Sequence, residues 1–244
     1  MTMTDLTKIK ALTWDVGGTV FDWRGTIEDE VRRIAIEQEA TVDIEQFATD
    51  WRVWSFDMLA RVNRAEFPWT NLDHIHRQIL DDVLEKHIAI TLSSAERDDL
   101  TEIWHRLRAW PGATDAIHRL KSRYTVIVLT VLSYSIAVDC SKHNGINWDG
   151  ILSCEFLGAY KGPPNAYNSA IRLLRLEPSE AMMTAAHMND LKNSRRAGMH
   201  TAYIHREGES NVSPGYSDIT SATADPEIDF VAADFPDLAN KLLA

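Results

Sequence analysis

The chain has 244 residues, 45% of them apolar and 25% charged, with a formal net charge of -11. That length suffices for one large core, or a core with a smaller second domain, and the acidic balance argues against nucleic acid or an anionic membrane as partner. The two cysteines, Cys140 and Cys154, form neither a disulfide framework nor a zinc pattern, and no apolar run is long enough to span a bilayer, so a cytoplasmic protein with reduced thiols is expected.

The run KALTWDVGG reads as a short buried strand that breaks at Gly17 and Gly18, where the backbone gains freedom beside the strand end. From residue 26 to about 107 helical periodicity dominates. Ile27, Val31, Ile34 and Ala35 share one face, and Asp43 with Gln46 three residues later reads as the start of a second helix carrying Phe47, Trp51, Trp54 and Leu59. Asn71 and Ser93 or Ser94 start two more. After Trp110-Pro111-Gly112 the pattern turns to alternating elements: helix 113–120, strand 124–129, helix 135–144, strand 150–153, helix 164–174, strand 182–187, helix 191–197, strand 201–205, a Gly- and Ser-rich loop 207–225, strand 230–232 and helix 235–243. Strands alternating with helices predict an α/β fold: a Rossmann-like, doubly wound parallel sheet with helices on both faces and an inserted helical cap. The expected division is a core of 1–24 and 108–244 and a cap of 25–107.

Right-handed crossovers put every strand's C-terminal end on one edge, where ligands bind in such folds. Four polar groups remote in sequence fall there: Asp15, the stretch from Thr130 to Ser133, Lys161, and Asn189-Asp190. Asp15 is costly inside an apolar strand unless it is hydrogen-bonded. It is either a structural cap or a nucleophile held by donors of the Gly17-Gly18-Thr19 turn. Lys161 would offset two neighbouring carboxylates. Asp190 reads as the N-cap of the helix at 191, as a base that hydrolyses an ester on Asp15, or as both. Ser133, Thr130 and Tyr134 offer hydroxyl and amide donors. Arg52 either snorkels to solvent or points down from the cap to bind an anion. His187 either lines the pocket or is a satisfied core histidine.

These residues also carry a family resemblance. TWDVGGTVFDW, LTVLSYS, the Tyr160-Lys161 pair before a proline-rich turn, and AAHMNDLKNSRRAGM resemble the four motifs of the haloacid dehalogenase superfamily, in order. INWDGILSCEFLGAYK and AGMHTAYIHREGE resemble its L-2-haloacid dehalogenase, or type II, branch, over essentially the whole chain. The resemblance implies attack by Asp15 on C2 of a small 2-halo acid, expulsion of halide without a metal or other cofactor, and attack of water on the Asp ester. It assigns backbone and hydroxyl contacts to Thr19, the substrate carboxylate to Ser133, the active-site lysine to Lys161, the last acidic residue to Asp190 and the leaving halide to Arg52. Homodimerisation is a further family expectation.

The departures bear on substrate. Superfamily phosphatases carry a second Asp where this chain has Gly17, which argues against phosphomonoester hydrolysis, although Asp15 and Asp190 are hard oxygen ligands that could bracket magnesium. The branch usually has an aromatic residue at Gly17, an Asn at Tyr134, a Lys-Pro-Asp-Pro run at Lys161-Gly162-Pro163-Pro164, and a Ser and an Asn at Ala185 and His187. Gly17 is expected to empty space beside the nucleophile and Tyr134 to fill space opposite. A relative in the branch opens L-azetidine-2-carboxylate by the same attack, so that ring-opening reaction stands as an alternative. A binding protein that kept the fold and lost activity is the alternative of another class.

Overall fold

The computed structural model describes residues 5–162, 165–206, 209 and 219–244. The first strand, β1 (Ala11–Trp14), runs into β2 (Phe21–Asp22) and then into the helices α1 (Trp23–Glu37), α2 (Ile44–Asn63), α3 (Leu72–Lys86) and α4 (Ser94–Thr101). The chain returns through β3 (Arg108–Ala109), α5 (Ala113–Leu120), β4 (Thr125–Thr130), α6 (Tyr134–His143), β5 (Gly150–Ser153) and the short α7 (Cys154–Leu157). It closes with α8 (Asn165–Leu174), β6 (Ala181–Ala185), α9 (Met188–Arg196), β7 (His200–Ile204), α10 (Ile219–Ala224), β8 (Phe230–Ala232) and α11 (Phe235–Leu243).

Six strands form one parallel sheet in the order β5-β4-β1-β6-β7-β8. β1 lies near the middle, where the winding reverses, and its C-terminal end faces the crevice that this topology opens. Side chains alternate across the sheet. Leu12, Trp14, Val126 and Val128 pack into the cluster that holds α5, α6 and α11 residues, whereas Leu129, Met183, Ala185 and Tyr203 pack with Tyr167, Ile171 and Leu191 of α8 and α9. Trp14 stacks on Phe235 at 6.0 Å, which ties the nucleophile-bearing strand to the last helix.

The four inserted helices bury their apolar stripes against one another and begin where sequence chemistry says they should. Asp43 and Asn71 accept the amides of Gln46 and His74, and Ser93 with Glu96 makes a reciprocal capping box. The first of them starts earlier than periodicity suggests. Asp22 accepts the Gly25 amide at 2.8 Å and caps a helix that begins at Trp23 rather than Thr26. A two-stranded antiparallel ribbon, β2 with β3, brackets the insertion; strands of two residues carry no readable period. Part of the expected 207–225 loop is the helix α10, seated by Ala222 in the core cluster with Met199 and Tyr203. The rest of that expected loop, apart from Glu209 and Asp225, lies outside the described residues, as do Pro163 and Pro164.

Candidate active site

Asp15 follows β1 directly and is buried. Its own amide continues the sheet by donating to the Thr184 carbonyl at 3.0 Å. The turn after it is tight: the amides of Val20 and Phe21 both return to the Val16 carbonyl, and Gly18 donates to the Phe21 carbonyl. Gly18 has φ +87, which favours glycine, and a Cβ there would meet the Glu209 carboxylate at 2.6 Å and displace it. This geometry brings Thr19 back over the strand end. Its hydroxyl accepts the Ala186 amide at 3.0 Å and donates to Asp15 Oδ2 at 2.6 Å. The turn thus aims Asp15 through that hydroxyl, while the Gly18 amide, expected to help, serves the turn itself.

Two cations complete the grip. Lys161 Nζ donates to Asp15 Oδ1 at 2.9 Å and to Asp190 Oδ2 at 2.6 Å. His187 Nδ1 lies 3.1 Å from Asp15 Oδ2, with Nε2 3.5 Å from Glu209 Oε1, itself held by Trp23 Nε1 at 3.1 Å. Burial alone would raise Asp15, but Lys161 and His187 outweigh it and hold the carboxyl well below the usual carboxylate range. Burial would lower His187; its hydrogen bonds to Asp15 and Glu209 win and raise it to about 9, so the ring is an imidazolium at neutral pH. Lys161 is raised despite burial, by the two carboxylates it bridges.

Asp190 differs from its expected role as a helix cap. α9 begins at Met188 with His187 as the N-cap residue, so Asp190 sits within its first turn. From there its carboxylate turns to the site, taking Lys161 on one oxygen and the Tyr167 hydroxyl at 2.5 Å on the other. Burial is the main influence on Asp190 and leaves it raised.

Arg52 points down from α2 and does not snorkel. It is 3% exposed, its guanidinium lies 5.1 Å over the Trp23 ring and 3.9 Å over that of Phe56, and its Nε and Nη1 find no hydrogen-bond acceptor among the described residues. Burial lowers it to about 10, still fully charged at neutral pH. Asp15, Arg52, Lys161, His187, Asn189 and Asp190 all line one cavity of about 370 Å³, with Asn189 exposed at its mouth.

Three expected residues fall outside the cavity wall, among them Thr19, which is fully buried behind Asp15 and reaches the site only through it. Tyr134 does not fill space opposite Gly17: it is the first residue of α6, 49% exposed, its ring edge against Phe156 and its amide donating to Glu155. Ser133 is buried; its hydroxyl accepts the Ile136 amide at 3.2 Å as the α6 N-cap and lies 3.2 Å from the Ser135 hydroxyl. The preceding Val131 and Leu132 line the wall instead, with Leu132 facing Gly17. The Thr130 hydroxyl accepts the Leu132 amide at 3.0 Å and shapes this turn.

The haloacid dehalogenase-like hydrolase family matches residues 9–198. The chain belongs to that family. A crystal structure of an L-2-haloacid dehalogenase is 32% identical with a TM-score of 0.85, over 96% of this chain and 99% of that one. A defluorinating L-2-haloacid dehalogenase is 31% identical with a TM-score of 0.85, over 97% and 96%. The L-2-haloacid dehalogenase from Xanthobacter autotrophicus with chloropropionic acid covalently bound is 16% identical, covers 97% and 99%, and at a TM-score of 0.78 shares the fold. No curated protein sequence matches.

The donor set of this haloacid dehalogenase-like site does not fit a hard cation. Magnesium would want several oxygen ligands, but the two carboxylates that would bracket it are bridged by the Lys161 ammonium, and Gly17 offers no side chain. Two site residues escape sequence reasoning. Tyr167 looks like any apolar-face residue of the amphipathic α8, and Glu209 sits in a polar stretch with no period to place it. The one available signal for Glu209 was Gly18, whose missing side chain makes room for it.

Proposed function

We propose that this chain is a hydrolase of small 2-substituted carboxylic acids, acting on L-2-halo acids through an ester on Asp15. The observation that carries the reading is Arg52: a buried, charged guanidinium whose Nε and Nη1 have no acceptor among the described residues, set over the same cavity as a carboxylate held ionised for attack. The relatives near one-third identity, named L-2-haloacid dehalogenases, support the substrate class.

Asp15 Oδ1 attacks C2, the carbon–halogen bond breaks, and the halide leaves toward Arg52. Oδ2 keeps its Thr19 and His187 donors and becomes the carbonyl oxygen of the ester. Those same donors face the oxyanion when water attacks the Asp15 carboxyl carbon. Asp190, whose carboxylate accepts from Lys161 and Tyr167 and whose affinity for a proton is raised by burial, takes the proton of that water. The acyl C–O bond then breaks as Asp190 returns that proton to the departing oxygen, the 2-hydroxy acid leaves, and the Asp15 carboxyl ionises again, so that one halide and one proton are released in all. Lys161, which lines the cavity beside Asp15, attracts the substrate carboxylate. Residues 25–107 act as the cap over a core of 1–24 and 108–244, and Cys140 and Cys154, both free and buried, suit a reducing cytoplasm. The exposed rings of Trp69, Tyr134 and Phe156 are the apolar surface a homodimer would use.

Ring opening of azetidine-2-carboxylate ranks behind. Its ammonium needs an acceptor, and the carboxylates among the described lining residues, Asp15 and Asp190, are both spent on Lys161. Incubation with L- and D-2-chloropropionate and with L-azetidine-2-carboxylate, followed by mass spectrometry, tests the reading. Loss of the L-halo acid alone, with formation of 2-hydroxypropionate, is expected. Opening of azetidine-2-carboxylate in its place would overturn the substrate, and no turnover of any of them would favour a binding protein.

A further inference from the structure

The cavity is too long for the smallest halo acids. Arg52, Phe56, Leu59, Ala60 and Asn63 line it from one helix. Their spacing of three and four residues is a single stripe. From Arg52 to Asn63 is eleven residues of continuous helix, roughly 16 Å at the α-helical rise. The volume agrees: about 370 Å³ is room for about a dozen water molecules, of which a three-carbon 2-halo acid displaces about four.

The walls change character along that length. At the floor stand Asp15, Lys161 and Arg52. Above them the lining is apolar, with Phe56 and Leu59 on the helix side and Val131, Leu132 and Tyr160 on the sheet side. At the mouth it turns polar again, with Asn63 and Asn189 exposed and Asn193 one turn beyond Asn189 on α9. Gly17 adds to the room: a Cβ there would only touch Leu132 at 3.6 Å, so the glycine is not forced by crowding and leaves the space beside Asp15 open. A three-carbon acid bound at Asp15 would leave the apolar middle filled with water, which is unfavourable. An unbranched tail of several carbons on C2 would displace that water.

We infer that the preferred substrates are medium-chain 2-halo acids, of about six to eight carbons, whose tails lie along the stripe from Phe56 to Ala60. This rests on the proposed reaction at Asp15 and adds the chain length that the site selects.

The test is the ratio of kcat/KM for 2-bromohexanoate and 2-bromooctanoate to that for 2-bromopropionate, all in the L configuration. Each buried methylene is worth roughly a fourfold gain, so the six-carbon acid is expected to exceed the three-carbon acid at least about tenfold. Ala60 is exposed on α2, so Ala60→Trp is tolerated by the fold, which circular dichroism checks, while its ring blocks the stripe. The ratio should then fall to within about threefold. A wild-type enzyme that prefers 2-bromopropionate, or a folded Ala60→Trp that keeps the wild-type ratio, would overturn the inference and leave the reaction standing. Failure to turn over an acid of any length would strike down the reaction, and the inference with it.

Discussion

At the scale of single residues, the site is a balance of buried charge. Asp15, Asp190 and Glu209 face Lys161, His187 and Arg52, and all six are buried or nearly so. Burying any one alone would cost several kcal/mol, and removing one partner of such a group costs about 3–5 kcal/mol. Tyr167 is the neutral member that sequence missed. It donates to Asp190 from inside the core and offsets part of the burial that raises Asp190. Tyr167→Phe removes a donor to a charged acceptor, worth about 1.5–3 kcal/mol. Asp190 must be ionised to accept a proton from water, and it loses a group that favours ionisation. The acid limb of the pH–kcat profile should therefore move to higher pH, with neutral-pH kcat down about tenfold. An unmoved acid limb in a folded variant would remove Asp190 from the hydrolytic step.

At the scale of elements, the inserted helices are clamped to the sheet layer at one seam. His105, just before β3, has Nε2 2.7 Å from Asp73 on α3 and Nδ1 2.8 Å from Asp139 on α6. Both ring nitrogens face acceptors, so both donate, which requires the imidazolium. The bonds to Asp73 lead, burial opposes them, and the ring is raised to about 9. Asp73 also receives the Ser135 hydroxyl at 3.3 Å. Nearby, Tyr160 donates to the Thr70 carbonyl at 2.7 Å and stacks on Trp69 at 4.7 Å, and Asn71 reaches Glu155. Tyr160 adjoins Lys161, so the seam also fixes the loop that carries the lysine. A histidine raised in the folded state contributes stability that is complete below its unfolded value near 6.5 and is lost as pH rises through about 9. His105→Gln should lower Tm by roughly 2–6 °C at pH 6, and the gap to wild type should close between pH 6.5 and 10. Thermal melts across that range check this; a gap that stays constant would mean the clamp carries no charge.

At the scale of the whole molecule, the fold was legible because each level of the sequence agrees. Alternating strands and helices after Gly112, four amphipathic helices before it, three of them with a readable start, and polar groups at strand ends all point to one architecture. Asp15, Lys161 and Asp190 were placed by topology, since a parallel sheet collects its strand ends on one edge, and by the motif resemblance; Lys161 lies past the short α7 rather than at the end of β5. Arg52 was ambiguous because a helix surface has two sides and sequence does not say which side meets the sheet. Tyr134 failed for the same reason: one residue past Ser133, the first turn of α6 points it outward. The β2–β3 ribbon was too short to show a period, and Glu209 reaches the site from a polar stretch through tertiary packing alone. No described helix is long and apolar enough to cross a membrane.

The account as a whole stands on an ester at Asp15. Its most direct test is one turnover of a 2-halo acid by excess enzyme in oxygen-18 water, followed by peptide mass spectrometry. Water is expected to attack the Asp15 carboxyl carbon, so the heavy oxygen should appear in the peptide bearing Asp15 while the first hydroxy acid released stays unlabelled; Asp15→Asn should release none. Label in the product with none in Asp15 would mean that water attacks C2 directly, and would contradict the account.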